Sequence, residues 1–290
     1  MARPLNMADV DKALDGFTIP PRPKLLIALQ AELESAEPNI HNISNLINQD
    51  VGVAGFTLKV VNSAVFGLSS KVSSVEHACN FLGIDKVVKL VRSILLRYTL
   101  SQSPEDDFLT SLWSSSELIA NTCSALASYF DIEESDDAFT LGMFHNAGMA
   151  LIYMQNDDYP QVVEQSYRQN TSSIGEFEEA SFESSHEVLG FLISQNWGLS
   201  ALLSNVIAYH HSSSVILTTG SFDEKQLFCV LKLAEHMTSL SKILGQSEID
   251  HEWEKNKQII LDILEIEEYQ LDDLGEVLFG YGIDTLYHKS

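Results

Sequence analysis

The sequence predicts an all-α, multihelical protein, and three observations predict it. Apolar residues recur at three- and four-residue intervals along most of its 290 residues, the period of helices that bury one face. Clusters of Pro, Gly, Ser, Asn and Asp punctuate those stretches, as short connections do. No run alternates apolar and polar residues in the way of a half-buried strand.

The elements follow in order. Leu25, Leu26, Leu29 and Leu33 mark the first amphipathic stripe, and Asn42–Ile47 a short helix with its stop expected near Asp50–Gly52. Phe56, Val60 and Val61 mark another stripe, closed by a loop at Asn62–Gly67. Ser73 is the expected cap of the next helix, with Glu76 at capping-box spacing. Val87, Val88, Val91 and Leu95 then line a helix that also carries Lys86, Lys89, Arg92 and Arg97, a basic cluster read as a solvated face or a dock for the chain's own acidic half, with an acidic partner, an anionic ligand or nucleic acid as the functional alternatives. Ser101–Asp107 is the expected linker. A long helix follows, with Phe108, Leu112, Ile119 and Leu126 on one face. Later breaks are expected at 131–137, 156–160, 170–175 and 212–222, the last holding the β-prone Val215–Thr218 in a loop. From about Gln246 a Glu-rich helical tail carries Ile259, Ile260, Ile263 and Leu264. The expected division is 1–102, 103–245, and a tail 246–290 packing on the second part.

Charge is unevenly placed. The total is −24, but 1–102 holds ten basic against nine acidic residues, and 103–290 holds seven against 32. So acidic a half repels nucleic acid and anionic membrane, and neither is an expected partner. No apolar run approaches the roughly 20 residues of a membrane helix, and Met1–Val10 has no signal-peptide core. Cys79, Cys123 and Cys229 are scattered in apolar patterns without metal-finger spacing, as in a reducing compartment. The cytoplasm is the expected location. There is no G-x-S-x-G elbow and no Gly-rich phosphate loop.

Three histidine segments carry the chemistry: Phe144-His145-Asn146-Ala147-Gly148, Ser185-His186-Glu187 and Tyr209-His210-His211. By helical spacing His145 shares a face with Leu141, Met149 and Ile152. His186 shares one with Leu189 and Ile193, and His210 and His211 follow Val206 and Ile207 by four residues each. All four imidazoles are therefore expected to point inward. Two readings stand, an altered metal site or four buried imidazoles bonded to one another, to Ser115, to Asn146 or to water.

Motifs in order along the chain resemble the HDOD family, helical modules related to HD-domain metal-dependent phosphohydrolases. They are Ile19–Pro23, Ile47–Gly52, Lys59–Gly67, Val72–Ala78, Leu82–Val87, Leu112-Trp113, Gly142–Gly148, His186–Gly190 with Trp197, and His210-His211, together covering about 16–215. The resemblance implies an HD-domain-like helical core with an N-terminal helical subdomain. It also implies a metal-ligand pattern of His, His-Asp, further histidines and a closing Asp. On this chain the first His position holds Ser115, and the Asp of the pair is Asn146. His145, His186, His210 and His211 fill the histidine positions, and Glu235 falls at the closing Asp. No Gly-Tyr-Pro loop follows the paired histidines, as it does in cyclic-dinucleotide phosphodiesterases; Gly280-Tyr281-Gly282 lies too far downstream.

The resulting expectation is a non-catalytic regulatory module of bacterial signal transduction that binds a partner protein or small ligand, with a homodimer as one arrangement. The vestigial site would comprise His145, His186, His210, His211 and Glu235, with Ser115 and Asn146 in place of ligands. No cofactor is expected, or at most a single Fe, Mn, Ni or Zn ion. The alternative is a divergent metal-dependent phosphohydrolase using His145 and Glu235.

Overall fold

The computed structural model describes residues 5, 7–68, 70–101, 106–132 and 135–287, apart from the side chains of Met7 and Asp9. Every regular element among the described residues is helical. The chain forms two compact units, Pro21–Gln102 and Met1–Pro20 with Ser103–Ser290. The first twenty residues thus group with the later part of the chain and not with 21–102. Their helix α1 (Met7–Gly16) packs on a helix at 186–196. The centre of the expected linker, 102–105, lies outside the described residues.

The unit Pro21–Gln102 comprises α2 (Lys24–Leu33), α3 (Ile40–Asn48), α4 (Val51–Val61), α5 (Val75–Leu82) and α6 (Ile84–Leu100). Leu26, Leu29, Ile43, Ile47, Val60, Val61, Val88 and Val91 are buried. Asp50 both follows α3 and caps α4, its carboxylate accepting from Val53 N at 3.0 Å. The cap of α5 is Ser74 and not Ser73; its hydroxyl accepts from His77 N at 3.1 Å. Asn62 explains why the loop after α4 needs an amide. Its Nδ2 donates to the Leu58 and Val72 carbonyls at 2.7 and 2.8 Å, while its Oδ1 accepts from Val72 N at 2.8 Å. One side chain thus does for this loop what a ladder of backbone bonds does elsewhere. Gly83, with φ of 87°, makes the sharp turn from α5 to α6.

The other unit contains α7 (Asp107–Tyr129), α8 (Ser135–Phe144), α9 (Ala147–Tyr153), α10 (Tyr159–Arg168), α11 (Ile174–Phe182), α12 (His186–Asn196), α13 (Ala201–Tyr209), α14 (Ser213–Thr219), α15 (Phe222–Met237), α16 (Leu240–Gly245), α17 (His251–Ile263) and α18 (Gln270–Gly280). The β-prone Val215–Thr218 is helical in α14, where Val215 and Ile216 are buried. Tertiary burial overrides the local preference of such residues. Two glycines allow close approaches of backbone to backbone. A Cβ on Gly142 would lie 2.4 Å from Ala120 Cα, and one on Gly148 would lie 2.1 Å from the His186 carbonyl oxygen. They bring α8 onto α7 and α9 onto α12. Trp197, fully buried, donates its indole N–H to the Pro20 carbonyl at 3.1 Å, and Asn196 donates to the same oxygen at 2.9 Å. The tail helix α17 packs on α15. No described helix is long and apolar enough to cross a membrane.

Candidate metal centre

The histidines sit at helix ends, not along helix faces. His145 and Asn146 form the turn between α8 and α9, His186 opens α12, and His210-His211 follow α13. The shared-face argument for His145 with Met149 and Ile152 therefore fails, because α8 stops before them. The inward pointing has a different cause. The last carbonyls of a helix lack intrahelical partners, and His145 donates Nδ1–H to Gly142 O at 2.7 Å. His210 repeats the device, donating to Ile207 O at 2.7 Å.

His186 is held by a carboxylate. Glu178 of α11, fully buried, accepts from the His186 backbone N at 2.8 Å, from His186 Nδ1 at 2.6 Å and from the Tyr159 hydroxyl at 2.5 Å. Bonds this short are charge-assisted. His211 Nδ1 faces both oxygens of Glu252 at 2.8 and 2.7 Å. Its backbone N donates to Glu187 Oε1 at 3.0 Å. Every one of these Nδ1 atoms faces an oxygen that accepts, so each Nδ1 carries a proton and turns Nε2 toward the interior.

These ring nitrogens converge. His186 Nε2 and His210 Nε2 are 3.1 Å apart. One ring nitrogen each from His186, His210 and His211 lies within 4.8 Å of the others. His145 stands edge-on to His210 with ring centres 5.5 Å apart, and its Nε2 is 3.6 Å from Glu235 Oε1. His145 Nε2, His211 Nε2 and Glu235 Oε1 are buried without a hydrogen-bond partner, as are both amide atoms of Asn146. Burial lowers the pKa of His145 to about 3 and, with neighbouring positive groups, that of His210 and His211 well below its usual value. Burial thus favours the neutral form of these three rings. Converging imidazole lone pairs, each ring steadied through its other nitrogen, are what a divalent ion of the Fe, Mn, Ni or Zn class takes. The described residues fit one such ion.

Ser115 takes no part. It is buried on α7, and its hydroxyl donates to the Leu112 carbonyl at 2.9 Å, within its own helix. The pocket instead contains a residue that spacing did not mark. Lys232 of α15 is 5 % exposed, and its Nζ lies 2.7 Å from Glu235 Oε2, 2.9 Å from Glu252 Oε2 and 3.5 Å from His211 Nδ1. Burial pulls the pKa of this lysine down, but Glu235 and Glu252 more than offset that and raise it. Burial pushes Glu235 up against the pull of Lys232, and burial also raises Glu187 to about 8. Glu178, Glu187 and Glu252 were likewise unmarked. Lys232 alone left a signal, a single cation inside the apolar run Cys229–Ala234 three residues before Glu235.

A cleft of about 690 Å³ adjoins the pocket, reaching His211 and Glu252 and lined by hydroxyls and amides that include Thr171, Ser172, Ser212 and Asn256.

The all-helical architecture is that of HD-like domains. A crystal structure of a candidate phosphohydrolase from Shewanella amazonensis superposes with a TM-score of 0.67 at 18% identity, over 95% of this chain and 96% of that one. An HDOD domain protein from Geobacter sulfurreducens superposes with a TM-score of 0.61 at 19% identity, over 92% and 98%. At these identities the likeness is one of fold. The HDOD domain model matches residues 19–213, and the chain belongs to the HDOD family. A Treponema pallidum protein is 25% identical over 200 residues, 67% of this chain and 38% of its own length. The cyclic di-GMP phosphodiesterase CdgJ of Vibrio cholerae is 27% identical over 125 residues, 42% of this chain and 28% of its own. Both matches span well under half of the relative's length.

Proposed function

We propose that the chain is a non-catalytic regulatory module of bacterial signal transduction, acting in the cytoplasm. In this reading the histidine pocket is a structural site for a single divalent ion, and the adjoining cleft receives a small ligand or a partner's side chain. The observation that carries it is Asn146. A metal hydrolase needs an anionic oxygen to bridge or balance its ions, and beside His145 this pocket offers an amide with both polar atoms unpaired. Ser115, tied to Leu112, replaces a further ligand. A bound ion would lower the pKa of a coordinated water. The chain's own residues fix the imidazoles and exclude solvent, for His145, His186 and His210 are fully buried. A place in signalling is consistent with the names of CdgJ and of a candidate signal transduction protein from Marinobacter aquaeolei with the same fold.

The second reading, a divergent phosphohydrolase using His145 and Glu235, draws on the same converging ring nitrogens. Metal analysis together with hydrolysis of bis(p-nitrophenyl) phosphate separates the two. Turnover at background level, unchanged in His145→Ala, is the expected outcome. Two ions per chain and turnover lost in His145→Ala would overturn the non-catalytic reading.

A further inference from the structure

We infer that Lys232 is a resident positive charge that limits the histidine pocket to one divalent ion. The inference rests on the reading of that pocket as a site for metal.

Burying an ammonium is unfavourable unless carboxylates surround it with good geometry. Lys232 has two, Glu235 on its own helix and Glu252 from α17. It takes one oxygen of each. Glu252 is also occupied by His211, so Glu235 Oε1, without a partner, is the one carboxylate oxygen left facing His145. The ammonium stands 3.5 Å from His211 Nδ1, so its charge lies directly behind one of the pocket's imidazoles.

Lys232 pairs with both Glu235 and Glu252 and so offsets the carboxylate charge that would balance a second divalent ion. Such an ion would add positive charge beside histidines that are almost fully buried, where charge is poorly screened. A lysine cannot leave as a metal ion can, so the limit is permanent.

The test uses the full chain, stripped with chelator and titrated with Mn²⁺ and with Zn²⁺, reading ions per chain after gel filtration and affinity by calorimetry. The parent protein is expected to hold one ion. Lys232→Gln is expected to hold a second, or to bind the first at least about tenfold tighter, as removal of a nearby like charge requires. Lys232→Arg, which keeps the charge, should behave as the parent. Circular dichroism reports whether each variant folds. Glu252→Gln, at a position partly open to solvent, provides a second arm and should weaken binding by at least about tenfold although Glu252 does not itself hold the ion. Equal uptake and affinity in Lys232→Gln and the parent would overturn the inference. So would unchanged affinity in Glu252→Gln, two ions in the parent, or no uptake by any form. His145-dependent phosphoester turnover with a single bound ion would defeat the non-catalytic reading while leaving the role of Lys232 intact.

Discussion

Glu178→Gln tests whether one buried carboxylate holds the histidine pocket in shape. Glu178 is fully buried and accepts three hydrogen bonds, at 2.5 Å from Tyr159 and at 2.8 and 2.6 Å from the backbone and ring of His186. Glutamine keeps the shape and removes the charge. Its oxygen can still accept from both His186 groups. Its amide must then face Tyr159, whose hydroxyl has to turn from donor to acceptor. Bonds to a charged group contribute about 1.5–3 kcal/mol each, against about 1 kcal/mol for neutral ones. Weakening three of them, less the relief of no longer burying a charge, gives an expected loss of about 2–3 kcal/mol. Urea unfolding followed by circular dichroism measures it. Tyr159→Phe removes one of the three bonds and supplies a double-mutant cycle. The phenylalanine change should be less damaging in the Glu178→Gln background than in the parent. A loss below about 0.5 kcal/mol in Glu178→Gln, or strict additivity in the cycle, would refute the claim that a charged carboxylate organises these groups.

Three further outcomes follow from the same geometry. Gly148→Ala drives a Cβ to 2.1 Å from the His186 carbonyl oxygen, so α9 and α12 must separate. A loss above about 3 kcal/mol or insoluble protein is expected, and parent-like melting would contradict it. Burial raises Glu187 to about 8, whereas an unfolded glutamate titrates near about 4.3. Its contribution to stability is therefore complete below the unfolded value and is lost as pH rises toward 8, by on the order of 1 kcal/mol per pH unit. Glu187→Gln should remove that slope, and parallel stability curves from pH 5 to 8 would count against it. Nitrogen-15 spectra of the metal-free chain should place the proton of His145 on Nδ1, since Gly142 O can only accept; an Nε2–H signal there would reverse the assignment of its lone pair.

What the sequence made legible was periodicity and residue type. The stripe of Leu25, Leu26, Leu29 and Leu33 is α2 in the structure, and Leu112, Ile119 and Leu126 lie buried along α7. The four histidines and Glu235 are brought to one pocket. What spacing could not supply was the reason they meet. A helical wheel assumes the helix continues, and α8 stops just short of His145. The orientation comes from end-of-helix carbonyls, which a face-counting rule does not see. The break expected at 212–222 rests on its Ser, Thr and Gly content, yet burying Val215 and Ile216 suffices to hold a turn or two of helix over 213–219. Glu178 and Glu252 lie among many acids with nothing local to separate a buried carboxylate from a solvated one. Only the fold, through Tyr159, His186 and Lys232, distinguishes them.

The pocket is built from two parts of the chain that answer to different constraints. All four histidines fall within residues 19–213, the span matched by the HDOD model. Lys232, Glu235 and Glu252 fall after it, on α15 and α17. Three of the imidazoles are oriented by groups inside the matched span, namely Gly142 O, Ile207 O and Glu178. Their convergence therefore does not depend on what α15 and α17 carry. The charge facing them does. Replacing Lys232, or withdrawing Glu252, alters the electrostatics of the pocket without moving the carbonyls that aim the rings. A fold arranged this way can keep its imidazole geometry while the charge facing the imidazoles is set by a few side chains outside the matched span. That separation accounts for how four imidazoles remain convergent beside an asparagine and a buried lysine.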